Sequence, residues 1–206
     1  QAEISPYHLT NNDCVRSPSG KVVTRDNGPR SDSNVRKLSR LKTIFDREGT
    51  VTAGNASQVT DGGAALLLMT KLGLKRTGAT PLAEIVDYEY AGCDPYRMGL
   101  GPIHAIEKLR HHTGTPGRFR IKNMDLIELN EAFAAQELAC VDELNIPFDK
   151  LNVNGGAIAL GHPLAATGAR LVLTLVKTLQ QKNLTNGLAS LCVGGGQGGA
   201  IWLQRS

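Results

Sequence analysis

The residues best suited to chemistry are a histidine, a cysteine and an asparagine, each placed at a break in an apolar pattern. His162 lies in "NGGAIALGHP", Cys192 ends "LASLC" before "VGGGQGG", and Asn130 opens "NEAFAAQ". An imidazole exchanges protons near neutral pH, and a thiol does so once its pKa is lowered, which a nearby imidazole can achieve. Together the three residues predict a site that combines a thiol base, an imidazole and an amide.

Each of these residues also has a plainer interpretation. His162 could be a turn or capping histidine, Cys192 a small buried hydrophobe on a strand, and Asn130 the N-cap of the helix that follows. Pro163 suits the first turn of a helix, and the positive end of that helix would keep the His162 ring neutral near pH 7. The neighbouring glycines serve tight turns as readily as the approach of a ligand.

These residues must be positioned by strands that alternate with helices. The pattern predicts strands at 64–69, 82–92 and 125–130, helices at 103–112, 132–144 and 163–181, and a closing hairpin of 187–195 with 198–204. A polar region up to about residue 50 contains a short helical stretch around 35–45. Such alternation predicts a largely parallel sheet, covered on both faces, with an antiparallel strand at its end. Catalytic groups in such sheets lie where strands run into loops.

Composition excludes several classes of protein. The net charge of +4 over 206 residues is not gathered into one run, which disfavours nucleic acid as a partner. No apolar run reaches the ~18 residues that a membrane span needs. The cysteines have neither CxxC nor metal-ligand spacing, and are Cys14, Cys93, Cys140 and Cys192. They predict reduced thiols inside a cell. The compartment that we expect is the cytoplasm, with the mitochondrial matrix or peroxisome as alternatives.

Six motifs in order connect the chain to a known family. They are "GTVTAGNAS", "MGLGP", "ELNEAFAAQ", "NVNGGAIALGHP", "TGARLV" and "SLCVGGGQGGA". From about Asp26 to its end the chain resembles the C-terminal half of a thiolase, of the acetyl-CoA acetyltransferase or 3-ketoacyl-CoA thiolase type. The resemblance implies an α/β fold, a βαβαβαββ half whose mixed sheet is covered by helices. Residues 1–56 would then be the C-terminal part of the family's loop domain, and 57–206 the thiolase C-terminal domain.

The resemblance also implies a role for each catalytic candidate. Cys192 resembles the base that removes the α-proton of the incoming acyl-CoA. His162 resembles the histidine that activates the nucleophile and donates to the thioester oxygen, and Asn130 resembles the residue that holds the water of this oxyanion hole. The amide of Gly194 resembles part of a second oxyanion hole, which faces the acyl-enzyme.

Substrates and partners follow from the same resemblance. Ser57 would contact the pantetheine arm of coenzyme A, Arg30 its nucleotide end, and Met98 and Phe133 the pantetheine and acyl pocket. Coenzyme A and acyl-CoA would act as substrates, with no metal or other cofactor. The complete enzyme would be a homodimer or tetramer engaged in fatty acid and lipid metabolism, without nucleic acid or a membrane span.

The sequence departs from the family pattern at several points. The family's nucleophilic cysteine belongs to the N-terminal half, and no stretch here resembles its surroundings, so we expect it on a missing half and this chain alone to be inactive. Ala165 and Ala166 stand where many members have glycine and another small residue, which could narrow the pocket. Two alternatives remain: an inactive thiolase-like module for coenzyme A binding or assembly, and a ketoacyl-synthase-type condensing enzyme, which would lack a thiol base at Cys192.

Overall fold

A computed structural model describes residues 15–16, 19–20, 22–23, 28–112 and 118–206. Within these residues the strands are β1 (Val15–Arg16), β2 (Val22–Val23), β3 (Ala83–Gly92), β4 (Leu126–Leu129), β5 (Asn186–Val193) and β6 (Gln197–Arg205). The α-helices are α1 (Val35–Leu38), α2 (Lys71–Thr77), α3 (Gly101–His112), α4 (Ala134–Leu144), α5 (Ala157–Leu160) and α6 (Thr167–Lys182). Short 3₁₀ helices cover Pro95–Leu100, Ile121–Asn123 and Phe148–Lys150. None of the described helices is long and apolar enough to cross a membrane.

The main sheet is mixed, with four strands in the order β3-β6-β5-β4. Only β4 and β5 are parallel, whereas β6 runs antiparallel to both of its neighbours. The alternation of strands and helices therefore led to a wrong prediction of a largely parallel sheet, because the hairpin strand β6 inserts between β3 and β5. The α/β class and the mixed sheet are confirmed, while the division of the chain at residues 56 and 57 stays a prediction.

Helices cover both faces of this sheet, as predicted. On β4 the buried side chains alternate, so that Ile127 and Leu129 join the cluster formed with α3 and α4, and Leu126 joins the cluster formed with α6. Helix α6 contributes Leu171, Leu175 and Leu179, which repeat every fourth residue and therefore share one face. The parallel pair β4–β5 lies between the two clusters, and this fixes the positions where both strands end.

Two predicted elements differ from the structure. Residues 64–69 form no strand: Leu67 is 83% exposed and Leu68 is 69% exposed. A strand needs a neighbouring strand for its backbone hydrogen bonds, and no described element pairs with this segment. The long helix begins at Thr167 instead of Pro163, because residues 163–166 form a turn that leads into it. The helical stretch around 35–45 is limited to α1.

An asparagine extends the sheet beyond β4. Leu151 makes a single parallel bridge to Ile127, at the position that a fifth strand would occupy. The next residue, Asn152, replaces further strand pairing with its side chain: its Oδ1 accepts from the Leu129 N–H at 2.9 Å, and its Nδ2 donates to the Leu129 carbonyl at 2.8 Å. On the edge away from β5, the end of β4 is therefore held by an amide side chain in place of a backbone ladder.

Two carboxyl groups tie this region to the glycine-rich loop before His162. Glu131 accepts from the N–H of Ile158 at 2.9 Å, and it lies so close to Gly156 that a side chain there would clash. Glu137 accepts from Asn152 Nδ2 at 2.6 Å. Burial, and then the charge of Glu131 and a hydrogen bond to it, raise the pKa of Glu137 to about 8. Glu137 therefore keeps its proton at neutral pH and can share it with Glu131.

The packing of α6 on the sheet gives a first prediction. Leu175→Ala removes a fully buried side chain that packs against Gly187. This change should lower the free energy of unfolding by about 2–5 kcal/mol. Leu138→Ala, a matched change at a residue that is 54% exposed on α4, should change it by less than about 0.5 kcal/mol. Urea unfolding followed by circular dichroism compares the two, and equal losses would contradict this packing.

The proton on Glu137 gives a second prediction. Its folded pKa of about 8 lies above the ordinary value of 4.5, so its contribution to stability is fully present below pH 4.5 and is lost as the pH rises through 8. Each such proton makes the free energy of unfolding fall by about 1.4 kcal/mol per pH unit within this window. Glu137→Gln should reduce the measured slope by about that amount, since the amide keeps the acceptor for Asn152 and a donor for Glu131.

The control for this measurement is Glu143→Gln, on the exposed side of the same helix. It should leave the slope of stability against pH unchanged in urea titrations between pH 5 and pH 8. Equal slopes for the wild type and Glu137→Gln would show that Glu137 is ionised in the folded protein.

Candidate functional site

Asn130 lies where β4 ends. Its backbone N–H donates to the Ser190 carbonyl at 3.0 Å, which continues the parallel ladder with β5 by one residue. The side chain is fully buried, and its Nδ2 lies 3.4 Å from Nε2 of His162. Helix α4 begins only at Ala134, so Asn130 is not its N-cap. The amide is directed toward the imidazole.

His162 is held from several sides. Its backbone N–H donates to the Gln58 carbonyl at 2.8 Å, in a parallel bridge between His162 and Val59. Its Nδ1 lies 2.7 Å from the hydroxyl of Thr167, while Nε2 faces Asn130. Gly161 before it has φ of 95°, a backbone conformation that favours glycine. Both ring nitrogens therefore have defined neighbours.

The imidazole is neutral near pH 7. Burial, and to a smaller degree the positive charge of Arg170, lower the pKa of His162 below its usual value of 6.5. We expected a neutral ring, but as the effect of the positive end of a helix that begins at Pro163. Because α6 begins only at Thr167, the cause is burial, which favours the uncharged form.

Cys192 lies on the neighbouring strand β5, two residues after the Ser190 carbonyl that binds Asn130. It pairs with Gly198 of β6, and its side chain is buried. Burial raises the pKa of the Cys192 thiol, and nearby Cys93 raises it further. The expected lowering by an imidazole is therefore wrong for this structure. The thiol is protonated at neutral pH and can give a proton before it takes one.

A glycine turn follows Cys192 and joins β5 to β6. Gly195 and Gly196 have φ of 89° and 90°, and a side chain at Gly196 would collide with the Cys93 carbonyl. At Gly194, by contrast, no atom lies within 4 Å of the position that a Cβ would occupy. The backbone at Gly194 therefore borders open space next to Cys192.

The segment 55–59 connects two of the remaining candidates to this site. Ala56 forms an antiparallel bridge with Phe133, and the N–H of Ser57 donates to the Ala132 carbonyl at 3.0 Å. Two residues beyond Ser57, Val59 bridges to His162. Ser57 thus lies between Phe133 and the histidine.

The described contacts connect Met98 and Arg30 less directly to the other candidate residues. Met98 is half-buried in the 3₁₀ helix Pro95–Leu100, and Gly101 just after this helix lies against Gln197 at the start of β6. The side chain of Arg30 is 73% exposed and lies 3.4 Å from Asp32. The described contacts do not connect Arg30 to the other candidates.

Sequence reasoning missed several polar groups behind the site. Glu128 is 2% exposed and lies 3.4 Å from Arg170 of α6, and burial raises its pKa to about 7 despite this arginine. Its signal was a charged residue inside the apolar run "DLIELN". The Thr167 hydroxyl gave no such signal, because its distance from His162 depends on how the turn 163–166 folds.

Of the other cysteines, Cys140 is buried with its pKa raised to about 11, Cys93 is half-buried, and Cys14 lies outside the described residues. In the described ranges no group of three or more His, Cys, Asp or Glu residues could hold a metal ion.

Known proteins share this arrangement of elements. The family model for the thiolase C-terminal domain matches residues 79–205, and the thiolase N-terminal domain model matches residues 1–72. The acetyl-CoA acetyltransferase of Escherichia coli (strain K12) is 47% identical over 204 residues, which cover 99% of this chain and 50% of that protein. The mitochondrial 3-ketoacyl-CoA thiolase of Bos taurus is 45% identical over 193 residues, or 93% of this chain and 48% of that protein. The chain spans about half the length of the curated relatives it matches.

Solved structures agree with these sequence matches. The crystal structure of the Bacillus anthracis acetyl-CoA acetyltransferase superposes with a TM-score of 0.87 at 43% identity, covering 94% of this chain and 48% of that one. Human mitochondrial 3-ketoacyl-CoA thiolase superposes with a TM-score of 0.83 at 39% identity, with the same coverage of each chain. By sequence and by fold, the chain belongs to the thiolase family.

Proposed function

We propose that this chain supplies the proton-transfer part of a thiolase active centre. The reaction is the reversible Claisen condensation of two acyl-CoA molecules and, in the other direction, thiolytic cleavage of a 3-ketoacyl-CoA. The observation that carries the proposal is the meeting of Asn130 and His162 at the sheet edge where β5 presents Cys192. We place the nucleophilic cysteine that takes the acyl group in the half of the enzyme that these 206 residues do not cover.

Cys192 moves the proton at the α-carbon. In cleavage, the thiolate of the nucleophile adds to C3 of the 3-ketoacyl-CoA, and the bond between C2 and C3 then breaks. Its electron pair passes to C2, which the Cys192 thiol protonates, and C3 stays bound to the nucleophile as an acyl thioester. The raised pKa suits this direction, because the thiol holds its proton at rest. In condensation the thiol must first lose that proton, and the thiolate then removes one from the α-carbon of acyl-CoA.

His162 and Asn130 act on the nucleophile and on the thioester oxygen. The neutral imidazole can take the proton of the nucleophilic thiol and afterwards donate it in a hydrogen bond to the oxygen of the enolate. Among the described residues, the buried Asn130 Oδ1 has no hydrogen-bond partner. Buried polar atoms are normally satisfied, which supports a role for this amide in holding a water or substrate group beside the histidine.

Gly194 supplies a second donor position. We assign its N–H to an oxyanion hole that faces the acyl group on the nucleophile, next to the proton donor Cys192. The open space at this glycine lets a thioester carbonyl approach the backbone closely. Preorganised donors of this kind stabilise the developing oxyanion, and loss of one typically costs about 10²–10³ in rate.

Coenzyme A would follow the segment that leads to the histidine. Ser57 is placed to contact the pantetheine arm, because it lies between Phe133 and His162, and Phe133 and Met98 would line the apolar part of the path. Arg30 is exposed, and we assign it to the nucleotide end of the substrate on the basis of its positive charge. Coenzyme A and acyl-CoA are substrates, and the proposed reaction needs no further cofactor.

We further propose that the complete protein is a homodimer or a tetramer. The peroxisomal thiolase of Saccharomyces cerevisiae, which superposes with a TM-score of 0.84, is described as dimeric. The thiols of Cys93, Cys140 and Cys192 are free, which suits a reducing compartment. We place the protein in the cytoplasm, with the mitochondrial matrix and the peroxisome as alternatives that occur among its relatives.

The proposed roles predict different effects for substitutions of Cys192 and His162 in the complete protein that contains this chain. Cys192→Ser raises the pKa of the proton-transfer group and should slow condensation on the order of 10²–10⁴-fold, yet acyl-enzyme should still form and accumulate. His162→Ala should damage both half-reactions, because it removes the activator of the nucleophile and a donor to the oxyanion. Radiolabelled acetyl groups trapped on the protein after brief exposure to acetyl-CoA measure the first half-reaction.

Cys93→Ser serves as the matched control, since it changes a free, half-buried cysteine near Cys192 and should leave labelling and turnover within about threefold. Loss of labelling in Cys192→Ser together with normal labelling in His162→Ala would reverse the assigned roles. Normal turnover of acetoacetyl-CoA in both variants would reject a thiolase centre. Binding of coenzyme A without any labelling would favour an inactive binding module.

A further inference from the structure

We propose that Thr167 is a positioning residue that fixes which nitrogen of His162 exchanges protons. Thr167 is the first residue of α6 and is fully buried. Its Oγ1 lies 2.7 Å from His162 Nδ1 and 3.0 Å from the carbonyl oxygen of Pro163. The catalytic consequence of this contact depends on the function proposed above, whereas the contact and the protonation state that it imposes do not.

The hydrogen atoms can be assigned from the chemistry of the groups involved. A hydroxyl has one proton to donate and lone pairs to accept with. When Thr167 donates to the Pro163 carbonyl, its oxygen accepts from an N–H at Nδ1. On the other side of the ring, the NH₂ of Asn130 faces Nε2 at 3.4 Å and is itself a donor. The structure therefore assigns the proton to Nδ1 and the lone pair to Nε2.

The opposite tautomer is less favourable. In that tautomer the proton is on Nε2, and Thr167 donates to Nδ1. The Nε2–H would then need the oxygen of Asn130 as its acceptor, at the position that the NH₂ now occupies. That rotation would put the NH₂ at the position of Oδ1, a buried atom without a hydrogen-bond partner among the described residues. Two N–H donors would be unsatisfied there in place of one acceptor oxygen, and unsatisfied buried donors are the rarer case.

This tautomer matches the chemistry proposed for His162. Nε2 has the lone pair and is the nitrogen that takes the proton of the nucleophile, because Nδ1 already carries a proton that it donates to Thr167. When the ring becomes positively charged, the Nδ1–H bond to Thr167 is already formed, and only the NH₂ of Asn130 has to turn away from the new proton on Nε2. An acceptor at Nδ1 also favours the imidazolium, and so opposes the effect of burial on the pKa of His162.

Helix α6 contains a second threonine with the same bonding pattern. Thr178 accepts from Asn154 Nδ2 at 2.7 Å and donates to the carbonyl of Thr174 at 2.7 Å, just as Thr167 donates to a carbonyl four residues earlier. It is also buried, and no histidine takes part in these bonds. Thr178→Val is therefore a matched control for the loss of a buried hydroxyl from this helix.

The test measures the ¹⁵N chemical shifts of the His162 ring across pH in the ¹⁵N-histidine-labelled chain, with His162→Gln used to identify its signals. In the wild type, in Thr167→Ser and in Thr178→Val we expect the tautomer with the proton on Nδ1. In Thr167→Val the proton should redistribute between the two nitrogens, and the pKa of His162 should fall further. A wild-type ring protonated on Nε2, or an unchanged ring in Thr167→Val, would overturn the proposal.

Kinetics of the complete protein give a second, separate readout. Thr167→Val should lower kcat/KM on the order of 10²-fold and shift the acidic limb of its pH profile, while Thr167→Ser should restore both. If Thr167→Val fails to fold, the wild type and Thr167→Ser still decide the tautomer. The expected ring signals without thiolase activity would reject the proposed function and keep this inference. Activity with the other tautomer would do the reverse.

Discussion

The parallel pairing of β4 with β5 is the constraint on which the candidate site depends. Parallel strands end at the same edge of a sheet, and here the hydrogen bond from the Asn130 N–H to the Ser190 carbonyl marks that edge. Cys192 follows two residues later on β5, and His162 reaches the same edge through its contact with Asn130. Loss of this pairing would separate three residues that are far apart in the sequence.

Burial is the physical cause that the groups around this edge share. It raises the pKa of Cys192 and of Glu137 and lowers that of His162, because each uncharged form is favoured away from water. At rest the thiol, the imidazole and Glu137 are therefore neutral at pH 7. In the proposed reaction, charge would develop only as a proton moves, in surroundings where fixed donors interact strongly with it.

Exposed apolar surface is found in another part of the described chain. The segment 64–69 pairs with no described strand and exposes Leu67 and Leu68. The chain spans about half the length of the curated relatives it matches. Exposed apolar segments of this kind are typical of interaction surfaces. The candidate residues Asn130, His162 and Cys192, in contrast, have described contacts within this chain.

The sequence alone determined the chemical types at the site, the glycine turn after Cys192, and the alternation of strands and helices. These features depend on local preferences and periodicity, which neighbouring residues set. Tertiary structure decided the rest: the insertion of β6 that makes the sheet mixed, the late start of α6 at Thr167, and the raised pKa of Cys192. Strand order and burial depend on contacts between distant residues, and a pKa responds to the surroundings that those contacts create.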